Sequence, residues 1–190
     1  MKEPVLDIRH ERVIKEIKEG SSTKEVLVVG AGDCKIDYHL LKDGWNVYST
    51  DYERASHFDN NMVEYFDTLN YSLANIFDLN SFPVKQAEVV VCCEVLEHLV
   101  EYKEAFQNLL ALTKKRLVIG FPWRKSYFDP SPPPKGHCNF WNDETTSEYT
   151  DVNEFKKMCA PHNIHIEKIL TKPRDVQMGQ KSYLLVIDKI

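Results

Sequence analysis

Nowhere in the 190 residues does an apolar run approach the roughly 18 positions that a membrane-spanning helix needs, so no bilayer span is expected. The opening stretch, MKEPVLDIRHERVIKEIKEG, carries charge throughout and lacks the apolar segment of a secretory signal. Cysteine occurs only as Cys34, Cys92, Cys93, Cys138 and Cys159, an odd number with no C-x-x-C pair. That argues against a disulfide framework or a four-cysteine zinc site, and predicts reduced thiols in a cytoplasmic protein. Positive charge is not in excess either. With 24 Lys and Arg against 29 Asp and Glu, the formal net charge is −5, which argues against nucleic acid as a general partner. No segment repeats. What remains is the composition of a globular chain, 43% hydrophobic and 28% charged, of a length that suits one domain over residues 1–190.

The apolar spacing of Leu6, Val13, Ile14 and Ile17 predicts an amphipathic N-terminal helix within residues 1–22, stopped at Gly20. Short apolar runs then alternate with helical patterns. Strands are predicted at 25–29, 46–50, 71–75, 87–93 and 116–121. Helices are predicted over 35–44 (ended by Gly44), 53–68 and, as one continuous element, 94–113. The run AEVVVCC is apolar without alternation, as expected of a strand covered on both faces. Residues 122–143, PWRKSYFDPSPPPKGHCNFWND, have no period and read as a lid or acceptor loop. A helix at 151–162 and two strands close the chain. The alternation predicts a doubly wound α/β sheet, mainly parallel, and the last two strands, joined without a helix, predict an antiparallel final strand at or near an edge.

Chemistry concentrates first in VLVVGAGDCKIDYHLLKDGWNVYSTD (26–51). A strand that ends on Gly30-Ala31-Gly32 and leads into a helix lets backbone amides approach a ligand closely. Asp51 ends the next strand about 20 residues on, where a carboxylate can accept ribose hydroxyls; its simpler role would be to cap the chain that follows. The second concentration is EVLEH. On a continuous helix, Glu94, Glu97 and His98 would share one face, able to act as a base, to bind metal, or merely to complement the helix end. His137 sits in the aperiodic loop among aromatics that could wall an acceptor pocket. The basic KKR at 114–116 reads as a helix C-terminus rather than a phosphate contact.

Taken in order, these segments resemble the class I S-adenosylmethionine-dependent methyltransferases. VLVVGAGDC is similar to their first motif, STDY to the acidic second-strand motif, LANIFDL to the adenine segment, AEVVVCCEVLEHL to the fourth-strand motif and RLVIGFP to the fifth strand. The resemblance implies a Rossmann-like fold and S-adenosylmethionine as cofactor. Gly30, Ala31 and Gly32 would lie against its methionine part and ribose, Asp51 would hold the ribose hydroxyls, and Tyr52 would pack on adenine. Asn75 and Ile76 would meet the adenine edge and face, and Cys92 would lie beside the amino-acid end. The sequence departs from the family pattern at Val28, where an acid often stands in the first strand, at Cys34 in place of the third glycine, and at Asn75 in place of aspartate. The resemblance points to O- or N-methylation of a small-molecule acceptor, with Glu97, His98 and His137 as catalytic candidates and no obligate metal. Alternatives are a metal-dependent methyltransferase of RNA 3′ ends, whose EVLEH-like pentapeptide looks the same, and a catalytically silent partner subunit. A nicotinamide oxidoreductase fits less well, because it wants the fuller G-x-G-x-x-G and a substrate domain.

Overall fold

Strands that are apolar on both faces need cover on both sides, and the chain provides it with helices on each face of one sheet. The computed structural model describes residues 4–53, 70–99, 101–123, 155–170 and 181–190. Within them lie strands β1 (Glu25–Val29), β2 (Asn46–Asp51), β3 (Asn70–Leu73), β4 (Ala87–Cys93), β5 (Thr113–Trp123), β6 (Asn163–Leu170) and β7 (Lys181–Asp188), and helices α1 (Ile8–Gly20), α2 (Lys35–Lys42) and α3 (Tyr102–Leu112). The sheet runs β3-β2-β1-β4-β5-β7-β6. The first five strands pair in parallel, and β7 inserts antiparallel between β5 and β6. This is the Rossmann-like arrangement with an antiparallel last strand expected from the sequence.

Alternate residues of each strand feed two cores. Leu27, Val29, Val90, Cys92, Leu117 and Ile119 pack with α3 through Phe106 and Leu109, and with Phe155. Val26, Val28, Val47, Val89, Val91 and Val118 pack on the other face with Val13, Ile14 and Ile17 of α1 and Ile36 and Leu40 of α2. The first of these cores is rich in aromatics, with Phe106 edge-on to Phe155 and Phe121 stacked on it.

Helix α1 begins where Asp7 accepts the amides of Arg9 and His10 while the His10 ring accepts the Asp7 amide. Gly20 is its last helical residue, as the sequence predicted. A Cβ there would lie 2.5 Å from Cδ of Arg116, so the glycine admits that side chain against the helix. Just beyond, the Glu88 carboxylate on β4 accepts from the hydroxyls of Ser21, Ser22 and Thr23, which hold it well below the usual carboxylate range.

Two expectations fail. The helix predicted over 94–113 is not continuous: a single 3-10 turn spans Leu96–His98, and α3 starts only at Tyr102. Glu94 adopts φ 57°, a left-handed conformation that ends β4 sharply and breaks the helical register. The KKR at 114–116 lies within β5, not at a helix end, because the strand starts directly after Leu112. All but the first residue of the helix expected at 53–68 and nearly all of the 122–143 loop, with His137, lie outside the described residues; of the helix expected at 151–162, residues 155–162 are described, 155–158 helical and 159–162 turn or bend.

Candidate cofactor and acceptor site

Between β1 and β4 the winding of the sheet changes direction, and the chain leaves the C-terminal ends of these strands toward opposite sides. A cleft of about 810 Å³ opens at this point. Its floor is the turn after β1. The amides of Gly30 and Ala31 donate to the Thr50 carbonyl at 2.9 and 3.0 Å, fastening the turn to β2. Gly30 has φ 76°, and a Cβ on it would meet Cγ2 of Val95 at 2.2 Å, so only glycine fits. Gly32 has φ 54° and nothing within 4 Å of its Cβ position, which leaves a bare backbone cradle open to the cleft. Cys34, at the place of a third glycine, keeps the left-handed conformation (φ 55°, ψ 24°) that glycine would take freely. It is fully buried, and burial pushes its thiol up, out of the range of a nucleophile.

Asp51 faces this turn. One carboxylate oxygen accepts the Gly32 amide at 2.9 Å, and the other accepts the Tyr52 amide at 2.8 Å. Each oxygen keeps a lone pair, so the carboxylate can also accept hydroxyls from a ligand in the cleft. Tyr52 is 74% exposed at the rim, placed to cover a flat ring. The cradle, the acid at the end of β2 and the rim aromatic fit S-adenosylmethionine.

The other residues inferred for the cofactor stand differently. Asn75 folds back on its own turn, its side-chain oxygen accepting the Phe77 amide at 3.0 Å, and Ile76 packs in the core beside α3. Neither lines the cleft. Cys92 is 1% exposed and points to the α3 face; its neighbour Cys93, on the opposite face by strand alternation, lines the cleft, with its thiol pushed up to about 12 by burial.

The EVLEH residues point three ways. Glu94 is half-exposed on the cleft rim and ion-paired with Arg9 of α1. His98 reaches the cleft with its side chain half-exposed. Glu97 turns inward and is 3% exposed, and neither of its oxygens has a hydrogen-bond partner among the described residues. Burial raises its carboxyl to about 7, and Glu94 adds to the effect. Its Oε1 lies 3.9 Å from Nε2 of His98. The shared face expected of a helix is therefore not formed, because the turn is 3-10 and its N-terminal neighbour left-handed. Among the described residues no three His, Cys, Asp or Glu side chains converge as ligands of one metal ion.

Two cleft residues went unnoticed in the sequence. Arg9 comes from α1, which folds over the mouth of the cleft, and no local pattern could reveal that. Asp37 lies in the first turn of α2, lines the cleft and is 1% exposed. A signal did exist: Asp37 sits three residues before Leu40, on the apolar stripe of its helix.

Residues 27–118 match the sequence model of the family described as a methyltransferase domain. Among solved structures the chain is similar to magnesium protoporphyrin IX methyltransferase from Synechocystis with bound SAH, at 15% identity, covering 96% of this chain and 82% of that one with a TM-score of 0.65. It is similar to a SAM dependent methyltransferase from Archaeoglobus fulgidus, at 16% identity, covering 96% and 93% of the two chains, TM-score 0.63. It is also similar to the methyltransferase domain of bacterial CtHen1-CN, at 17% identity, covering 95% and 97%, TM-score 0.62. At such identities the likeness speaks to the fold alone. A search of curated proteins by sequence gives no match.

Proposed function

From the premise that this chain carries a class I S-adenosylmethionine-dependent methyltransferase domain, we propose that it transfers the methyl group to an oxygen or nitrogen of a small organic acceptor. The cofactor supplies the hard chemistry, a methyl group on an activated sulfonium. The chain's own task is to hold both partners in line and to keep water out.

The observation that carries the acceptor reading is the state of the cations at the cleft. Arg9 pairs with Asp7 and Glu94, and Lys35 pairs with Asp33 at 2.5 Å. Both are neutralised by acids of the chain itself, so the described rim offers no unpaired Arg or Lys to a phosphate backbone. The overall charge of −5 points the same way. Space supports the reading too: about 810 Å³ is at the upper end of small-molecule sites, which suits a cofactor and a modest acceptor together.

On the acceptor side, His98 on the cleft wall can take the acceptor's proton, and Glu97 lies behind it as a positioning residue that stabilises the ring once charged. His137 remains a third candidate on the sequence reading. The test is transfer of labelled methyl from S-adenosylmethionine into separated small-molecule, RNA and protein fractions. Label in the small-molecule fraction is expected. Label confined to RNA or protein would reject the acceptor class while leaving the methyltransferase assignment standing.

A further inference from the structure

Among the acids lining the cleft, Asp37 is the one that is buried and keeps an oxygen without a partner among the described residues. It is 1% exposed, and the oxygen is Oδ1. Of the other acids lining the cleft, Asp33 is engaged by Lys35, Asp51 by two backbone amides and Glu94 by Arg9, while Glu53 is exposed to solvent. A buried carboxyl oxygen left without a partner costs stability unless something else meets it, and the open end of the cleft is the side from which a ligand can come.

Its position identifies what the ligand group must be. Ser49 hydrogen-bonds the Asp37 carboxyl, which partly offsets the upward push of burial. Ser49 stands directly opposite Val28 in the β1–β2 register, and residues in register on neighbouring parallel strands present their side chains to the same face. The carboxyl of Asp37 therefore lies over the strand ends beside Val28, next to the Gly30–Gly32 turn. Val28 is the place in β1 where the sequence pattern called for an acid. The negative charge missing from the strand is present one layer up, on the helix.

We propose that Asp37 is the anionic partner of the α-ammonium group of the bound cofactor, replacing an acid in β1. The assignment rests on the cofactor reading above. It gives Asp37 a binding role and no part in the methyl transfer. Asp51 sits at the other end of the turn and serves the ribose, so the two acids hold the two polar ends of the same ligand. Burial makes the Asp37 contact strong, since little water competes for it.

The test is calorimetry on the whole chain at pH 7.5 with three ligands. S-adenosylhomocysteine has the ammonium but no sulfonium. Its deaminated analogue keeps the carboxylate and lacks the amine. 5′-Methylthioadenosine lacks the amino-acid part altogether. The unmodified protein should bind S-adenosylhomocysteine roughly tenfold or more tighter than the deaminated analogue, the scale of one charge-assisted hydrogen bond. Asp37→Asn should lose that factor for S-adenosylhomocysteine and change 5′-methylthioadenosine by less than about twofold. Equal affinity of the unmodified protein for S-adenosylhomocysteine and its deaminated analogue overturns the proposal without any variant, so a misfolded Asp37→Asn cannot shelter it. Equal weakening of all three ligands by Asp37→Asn also overturns it. If the unmodified protein binds none of the three, the cofactor reading itself fails, and the Asp37 assignment falls with it.

Discussion

Asp37 and Glu97 are buried carboxyls, and burial, the first cause in each, raises them from 3.8 to about 6 and from 4.5 to about 7. A carboxyl raised in the folded state holds its proton where the unfolded chain has lost it. The cost is absent below the unfolded values, grows from about pH 4 upward and is complete once the folded values are passed near pH 7. Each shift corresponds to a cost on the order of 3 kcal/mol above that window. The cofactor-free protein should therefore resist urea less at pH 8 than at pH 5.5. Glu97→Gln should raise the urea midpoint at pH 8 and flatten the slope, since an amide fills the same space without charge. A variant no more stable than the parent at pH 8 would contradict this. Asp51 plays a different part: its carboxylate accepts the Gly32 and Tyr52 amides and keeps lone pairs for a ligand. Asp51→Ala should weaken S-adenosylhomocysteine binding by about tenfold or more, through lost ribose contacts and a loosened turn, with Asp51→Asn falling between. Calorimetry on the three proteins decides it.

Among the elements, the seven strands were all legible in the sequence: β1 and β4, covered on both faces, as unbroken apolar runs, and the others as short β-prone segments between helical patterns and turns. The turn after β1 was legible as well, since Gly30 and Gly32 mark backbone at positive φ and Gly30 has no room for a Cβ. The EVLEH segment was not. Its residues have helical spacing, but the left-handed Glu94 and the 3-10 turn follow from how β4 ends against β5, where the Glu94 amide donates to the Gly120 carbonyl at 2.7 Å. Tertiary pairing overrode local periodicity. The basic run at 114–116 misled for the same reason. Arg116 is a strand residue that joins three elements: it donates to Asp188 of β7 at 2.7 and 3.1 Å, and to the carbonyl and carboxylate of Glu16 on α1 at 3.2 Å. Glu16 is largely buried there, with its side chain 13% exposed. Arg116→Met should cost about 2–4 kcal/mol, read as a lower urea midpoint, because it strands a largely buried acid and unpins α1 from the sheet. Arg116→Lys should recover part of the loss.

On the scale of the whole molecule, the cleft lies where the winding reverses, so a ligand bound in it touches both halves of the sheet. A ligand that binds only the folded chain stabilises it by about 2.7 kcal/mol at a hundredfold excess over its dissociation constant. For a chain of this length that is roughly 5–10 °C in Tm. S-adenosylhomocysteine should produce such a shift in a thermal melt and NAD should not; the reverse pattern would favour a nicotinamide enzyme. The fold was legible at this scale because five segments recur in order with the expected spacing. Individual contacts were less so. Alternation along β4 decides whether Cys92 or Cys93 meets the cleft, and an apolar run conceals that phase. Arg9 reaches the cleft only because α1 packs across the sheet from 85 positions before its partner Glu94.

The two described ends of the chain leave the fold on opposite sides. Helix α1 starts at the cleft, with Arg9 and His10 in its wall. Strand β7 begins at the cleft with Ser182 and Tyr183 but runs away from it, so that Asp188 finishes beside Arg116, near the beginning of β5. Cargo attached after Ile190 emerges behind the catalytic face and leaves the mouth clear. Cargo attached ahead of Asp7 hangs over the entrance, close to the Arg9–Glu94 pair. For immobilisation on a surface or fusion to a reporter, the carboxyl end is the one that keeps ligands free to come and go.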